Sequence, residues 1–336
     1  MSPKRLLAVF IARNKEFLRD RSALAWNILF PVLIVGGFAI AFSGESMDVY
    51  KVALYQDKGS EQVAGQEFLN TEYIQFIETD DLDHEITNVE RHQVDMLLDR
   101  NTQRYWVNTT SPKGYMLERV LKGTIGNSFK RQEVTGGEIR YVDWLLPGVI
   151  GMNMMFSALF GVGYVLVRYR KNGVLKRLKA TPLSAVEFLT AQVASRMLLI
   201  MAVVVVVYFG TDIFVDFAMF GSYFNLFLIF ALGAISLVSL GLLIASRTAS
   251  EEFAGGMLNV ISWPMMFLSG VWFSLEGTAP WVQKLALIFP LTHVTSAARA
   301  IMTDGASLSQ LSGHIIALLA MTAVFLLLGA VTFKWE

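Results

Sequence analysis

Long, unbroken runs of apolar residues constrain this chain more than any other feature. A helix needs about 20 mainly apolar residues to cross the hydrocarbon layer of a bilayer. Such runs occur at residues 23–42, 144–167, 223–246, 253–275 and 315–333. A further run, Met197 to Phe209, is too short alone, so its helix is expected to begin near Thr190 and run toward Val215. Lipid offers no partner for a backbone N–H or C=O, so each run is read as an α-helix. Composition points the same way. Of 336 residues, 54% are hydrophobic and 17% charged, where soluble domains carry about a quarter. The expected fold class is an α-helical polytopic membrane protein with six transmembrane helices.

The segments between the runs differ in character. Residues 1–22 are basic and amphipathic: Leu6, Leu7, Phe10, Phe17 and Leu18 recur at helical spacing among Lys4, Arg5, Arg13, Lys15, Arg19 and Arg21. This pattern suits a helix on a cytoplasmic membrane surface; a solvated charged tail is the plainer reading. Residues 23–42 form the first span. Ala39-Ile40-Ala41 resembles a signal-peptide cleavage site, but the charged lead and the apolar run are both long for one. Residues 43–143 alternate strand-like and helix-like pieces, which predicts a small α/β domain. From Gly44 to Asp143 there are 18 acids against 11 bases. Residues 144–336 carry the other spans, a basic loop at 168–187 and a region at 277–313 broken by Pro280, Lys284, Pro290, His293 and Arg299. So interrupted a stretch fits short re-entrant helices better than a lipid-exposed span. Basic loops stay in the cytoplasm, so both termini are expected inside and the α/β domain outside.

Catalytic signatures are missing. No lysine precedes Ser or Thr, so there is no GxxxxGK[ST] phosphate loop. His84-Glu85 starts like HExxH but lacks the second histidine, and GxSxG is absent. With no cysteine, thiolate metal sites and cysteine nucleophiles are excluded. The four histidines, His84, His92, His293 and His314, are scattered and read as polar surface or interface residues. Asn108-Thr109-Thr110 matches a glycosylation acceptor, a pattern common by chance.

The loop reading Gly173-Val174-Leu175-Lys176-Arg177-Leu178-Lys179-Ala180-Thr181-Pro182-Leu183-Ser184 holds a short amphipathic helix that Gly173 can start and Pro182 stops. Physics alone leaves two readings: a plug for a partner's groove, or a basic loop that only sets topology. The stretch resembles the first cytoplasmic loop of ABC-2 type transporter permeases, with its G-x-L-x-R-L-x-x-T-P-L-S pattern. Residues 252–302 resemble the same family's fifth span and re-entrant region, through Pro264 to Gly270 and Pro290 to Arg299. Two departures stand out: Arg170-Lys171-Asn172, rather than an acidic residue, precedes Gly173, and Ser274 rather than proline follows Phe273.

The resemblance implies the transmembrane permease subunit of an ABC exporter, not an enzyme, with no cofactor of its own. ATP and magnesium would belong to a partner ATP-binding subunit, and a second permease, identical or a paralogue, would complete the complex. Coupling to the ATPase would run through Gly173, Val174, Leu175, Lys176, Arg177, Leu178, Thr181 and Pro182. Polar and greasy positions within spans give a candidate translocation path: Asn27, Asn153, Met155, Phe156, Arg196 and Asn259. Arg196 has a second reading as a cation that snorkels to the interface. Glu276, Pro290 and Arg299 mark the re-entrant region. The expected cargo is amphipathic or hydrophobic, drug-like or lipid-like, moved outward across a bacterial inner membrane, with lipid and no nucleic acid as further contacts. A membrane-embedded sensor with a ligand-binding outer domain is the alternative. An intramembrane lipid-modifying enzyme is a third class, but it lacks a catalytic cluster.

Overall fold

The structure is a computed structural model that describes residues 3–19, 21–41, 50–55, 66–126, 128–136, 139–246, 250–275 and 278–332. The chain divides into two compact units, Phe42–Arg140 and the remainder.

The smaller unit is a five-stranded sheet with helices on both faces. Its strands are β1 (Tyr50–Tyr55), β2 (Ile74–Thr79), β3 (Met96–Asp99), β4 (Arg104–Asn108) and β5 (Lys130–Val134), in the order β2-β1-β3-β4-β5. Only the β3–β4 pair is antiparallel. Alternate strand residues face opposite sides. Val52, Leu54, Met96, Leu98, Tyr105 and Val107 pack one face against Leu117 and Leu121 of α5 (Pro112–Ile125) and Phe68 of α3 (Gln66–Leu69). Ala53, Leu97 and Trp106 pack the other against Val89 of α4 (Leu82–Glu90).

The larger unit is all helical. It opens with α1 (Pro3–Arg19) and α2 (Arg21–Ala41). A single long helix, Tyr141–Lys171, comprises α6 (Tyr141–Ala158), a π-helical segment (Leu159–Tyr164) and α7 (Val165–Lys171). After it come the short α8 (Val174–Lys179), α9 (Ala185–Val215), α10 (Tyr223–Ala245), α11 (Glu251–Leu268), the bent pair α12 (Pro280–Ala286) and α13 (Pro290–Asp304), and α14 (Ser312–Thr332). Close packing relies on small residues, as helices in lipid require. A Cβ on Gly233 of α10 would lie 2.2 Å from Val294 of α13.

Among the described residues, four helices are long and apolar enough to cross a membrane: Tyr141–Lys171, Val186–Val215, Tyr223–Ala245 and Ser312–Thr332. The bent pair, turned by 98°, would make a fifth. The chain is thus a polytopic membrane protein by its helices, with four or five rather than six spans meeting that test. A six-span count needs α2 and α11 as well. Two boundaries differ from expectation. The third span begins at Ala185, earlier than Thr190, because Ser184 and Glu187 form a reciprocal capping box. The fifth run ends its helix at Leu268, well before Leu275, where Ser269 caps it and Gly270 takes φ +65°.

Candidate functional site

A cleft of about 380 Å³ opens between α2, the α6–π segment and α9. Four of the six expected path residues line it: Asn27, Asn153, Phe156 and Arg196. They are linked through backbone and side chain. Asn153 Nδ2 donates to the Asn27 carbonyl at 3.1 Å, and Ser157 Oγ donates to Asn27 Oδ1 at 3.1 Å. Arg196 is 9% exposed. Its Nε and Nη2 donate to the Ser157 carbonyl at 2.8 and 2.5 Å, and Nη2 also donates to Ser157 Oγ at 2.9 Å. The Phe17 ring of α1 covers the guanidinium at 5.2 Å. Arg196 is thus turned inward: a neighbouring helix supplies acceptors that make this rotamer tenable.

Gly161 makes this fit possible. A Cβ there would sit 1.9 to 2.2 Å from guanidinium atoms of Arg196. Gly161 lies in the π-helical segment, whose wider turn is a recurrent feature of functional sites. Phe30 and Phe160 complete the apolar walls.

A second grouping lies at the end of the helical unit where α1, α7, α8 and the start of α11 meet. Gly173 adopts φ +68° and opens α8. Leu175, expected at a partner contact, is fully buried in this chain's own core. It cannot also reach a partner; it fastens α8 in place. Val174 and Leu178 are half-buried, and Lys176, Arg177, Lys179, Thr181 and Pro182 are exposed. Several bonds tie this end together. Arg5 of α1 donates to the Pro182 carbonyl. Arg13 donates to Tyr169 Oη at 2.5 Å and pairs with Glu16 at 2.7 Å. Arg170 donates to the carbonyls of Ala245 and Ser246 at 2.9 and 3.0 Å, satisfying the end of α10. Tyr164 Oη donates to Glu251 of α11 at 3.2 Å, and Lys171 lies 3.8 Å from Glu251 and from Glu252.

The model of the family described as ABC-2 type transporter matches residues 92–303, more than half of the chain. The chain belongs to the ABC-2 type transporter family. It is 26% identical over 185 residues to the "Probable multidrug ABC transporter permease YbhR" of Escherichia coli K12, which covers 54% of this chain and 50% of that protein. It is 25% identical over 188 residues to the "Inner membrane transport permease YhhJ" of the same strain, covering 54% and 49%. The matched part thus spans about half the length of these curated relatives.

The other expected sites of this ABC-2 chain lie apart from the cleft. Met155 is fully buried on another face of α6, in the core. Asn259 is exposed on α11, its Nδ2 donating to the Gly255 carbonyl at 2.9 Å. Glu276 falls outside the described residues. Pro290 starts α13 and is buried. Arg299 ties three elements together. Its Nε donates to the Trp144 carbonyl at 3.1 Å, its Nη2 to the Gly270 carbonyl at 2.9 Å, and its guanidinium stacks 3.6 Å from the Trp144 ring centroid.

The sequence gives no sign that Ser157 and Gly161, common residue types, belong to the site, nor that Phe17, part of the amphipathic pattern of residues 1–22, reaches Arg196. Nor does it show that two of the scattered histidines meet. His293 Nε2 donates to the Leu287 carbonyl at 2.9 Å, leaving Nδ1 to face His314 Nδ1 at 3.1 Å. No group of three or more metal-ligating side chains forms among the described residues.

Proposed function

We propose that this chain is the permease subunit of an ATP-binding cassette exporter in a bacterial inner membrane. It pairs with a second permease, identical or paralogous, and with ATP-binding subunits that carry ATP and magnesium. The cargo is amphipathic or hydrophobic, drug-like or lipid-like, and moves outward. Six spans are α2, the α6–α7 helix, α9, α10, α11 and α14, with α12 and α13 re-entering from the outer side. The α/β unit lies outside.

Family membership supports the transporter class, and the word "multidrug" in one relative's name supports the cargo class. The observation that carries the coupling is α8 itself. It is anchored from within by Leu175 and exposes Lys176, Arg177 and Lys179, with Thr181-Pro182 just after it, to a partner. It also adjoins α7, the end of the same helix that reaches the cleft. A displacement of α8 would thus reach Ser157 and Asn153 through one continuous element, given two alternative packings of the helices. Leu7, Ile11 and Leu18 form an exposed apolar stripe on α1, as an interfacial helix requires.

The test is co-purification with an ATP-binding subunit encoded beside this chain. The double variant K176E/R177E is expected to lower ATPase recovery at least about ten-fold without unfolding the permease. Recovery unchanged by that variant would remove α8 as the joint. Absence of any ATPase from the wild-type complex would remove the exporter reading.

A further inference from the structure

Arg196 is a buried cation whose hydrogen-bond and ring partners, among the described residues, include no counter-charge. Among the described residues no carboxylate lies within ion-pairing distance; its acceptors are the carbonyl and hydroxyl of Ser157. Burying a lone charge is costly unless something compensates it. Two neutral oxygens compensate only in part, and they engage Nε and Nη2. The guanidinium also lines an open cleft rather than a closed core. Around it the lining is of two kinds. Asn27, Asn153 and Ser157 supply amide and hydroxyl groups; Phe30, Phe156 and Phe160 supply aromatic surface.

Depth along the helix narrows the ligand further. The 31 residues of α9 extend about 46 Å at 1.5 Å each, roughly 16 Å more than the hydrocarbon layer. We assign the excess to the first turns, beside which α1 runs: Arg5 meets Pro182, just ahead of α9, and Phe17 meets Arg196 on it. The unbroken apolar run begins one residue later, at Met197. Arg196 thus stands where headgroups give way to acyl chains.

We propose that this cleft binds an amphipathic anion, with its carboxylate or phosphate on Arg196 and its apolar part against Phe30, Phe156 and Phe160. A bilayer phospholipid and a soluble amphiphile share this chemistry. The inference rests on the exporter reading only for its role as cargo entry; the binding site itself does not need it.

Dansyl-undecanoate reports on the site through its fluorescence, and its methyl ester is a neutral control. Both are titrated onto the full chain in phosphatidylcholine nanodiscs, with empty nanodiscs as blank. The acid is expected to bind at least about ten-fold tighter than the ester. R196Q should abolish that difference and R196K should keep part of it. Equal binding of acid and ester to the wild type overturns the proposal without any variant, and so does an R196Q protein that retains the preference. Repeating the titration with phosphatidylglycerol in the disc separates the sources. Displacement of the acid from the wild type, beyond its loss from empty discs, identifies a lipid headgroup as occupant; undiminished specific binding identifies a soluble anion. If the acid binds selectively but no ATPase co-purifies, the exporter reading falls and the site stands. If the ATPase co-purifies and the selectivity is missing, the reverse holds.

Discussion

Two glycines in one helix show how a single Cβ can act on different properties. At Gly161 the added carbon would meet the far end of a flexible side chain, Arg196, at 1.9 to 2.2 Å. At Gly148 it would meet the Val271 carbonyl oxygen at 2.7 Å and its Cα at 3.0 Å. A side chain can swing away, but a packed backbone cannot. G161A is therefore expected to change thermal stability by less than about 1 kcal/mol while pushing the guanidinium off Ser157. G148A is expected to cost about 1–3 kcal/mol. Melting of both variants in detergent, beside dansyl-undecanoate binding for G161A, checks the contrast. Arg299 offers a second case at this scale. Lysine at that position keeps the charge but cannot serve the carbonyls of Trp144 and Gly270 together or lie flat on the Trp144 ring. R299K should lower stability by about 1–3 kcal/mol, measured by the same melting. Sequence marked Arg299 and Arg196 by type and place. It did not reveal their partners, because most of those are main-chain carbonyls far away in the sequence, and any residue supplies a carbonyl.

At the scale of elements, apolar length and Ser/Gly/Pro punctuation are readable, and α2, the α6–α7 helix, α10 and α14 lie over those runs, while α9 starts earlier than its run suggests. What could not be read was orientation about the helix axis. α8 looked like a partner-facing amphipathic turn, yet Leu175 points home. L175D should therefore unfold or deplete the protein, by about 3 kcal/mol or more, whereas K176E/R177E should leave its melting unchanged. In the α/β unit, α5 carries a buried acid, Glu118. It accepts from Lys122 Nζ at 2.6 Å and Tyr105 Oη at 3.1 Å, with Arg131 Nε at 3.4 Å. Burial alone would raise its pKa, but these three partners outweigh burial and hold it below the ordinary carboxylate value. Burial, and then the charge of Glu118, push Tyr105 up to about 12. The folded pKa of Glu118 lies below the unfolded value of about 4.3. Its stabilisation is thus complete above that value and is lost as pH falls through the folded pKa. Asp95, raised by burial against a bond from the Lys51 amide, acts in the opposite sense as pH climbs through its own range. Protection of α5 and β4 amides against hydrogen exchange should weaken on acidification in the wild type and lose most of that dependence in E118Q. E118Q itself costs about 1–3 kcal/mol at neutral pH.

At the scale of the molecule, the chain inserts a soluble-type α/β unit between α2 and the α6–α7 helix. Its acidic excess and the basic clusters of α1 and residues 168–187 were legible at once, since charge segregation needs no contact map. The order of its strands was not legible, because β4 and β5 run parallel across a helix that gives no hint of pairing partners. Orientation can be read directly, since the chain has no cysteine. S128C is expected to react with a membrane-impermeant maleimide added to intact cells or spheroplasts, and R177C only after the membrane is opened. The opposite pattern would invert the topology.

The π-helical segment Leu159–Tyr164 has one more consequence. A π-turn holds one residue more than the α-turn it replaces, and each residue advances an α-helix by about 100°. The segment therefore acts as a phase offset inside a single span. It sets the azimuth of the Asn153–Ser157 face independently of the azimuth of the α7 face that meets α1 and α11. Deleting one residue there would close the wide turn to an α-turn with both halves still facing their neighbours, whereas straightening the same six residues into α-helix would turn one half of the span about 100° away, like a key cut correctly and set a third of a turn wrong on its shaft.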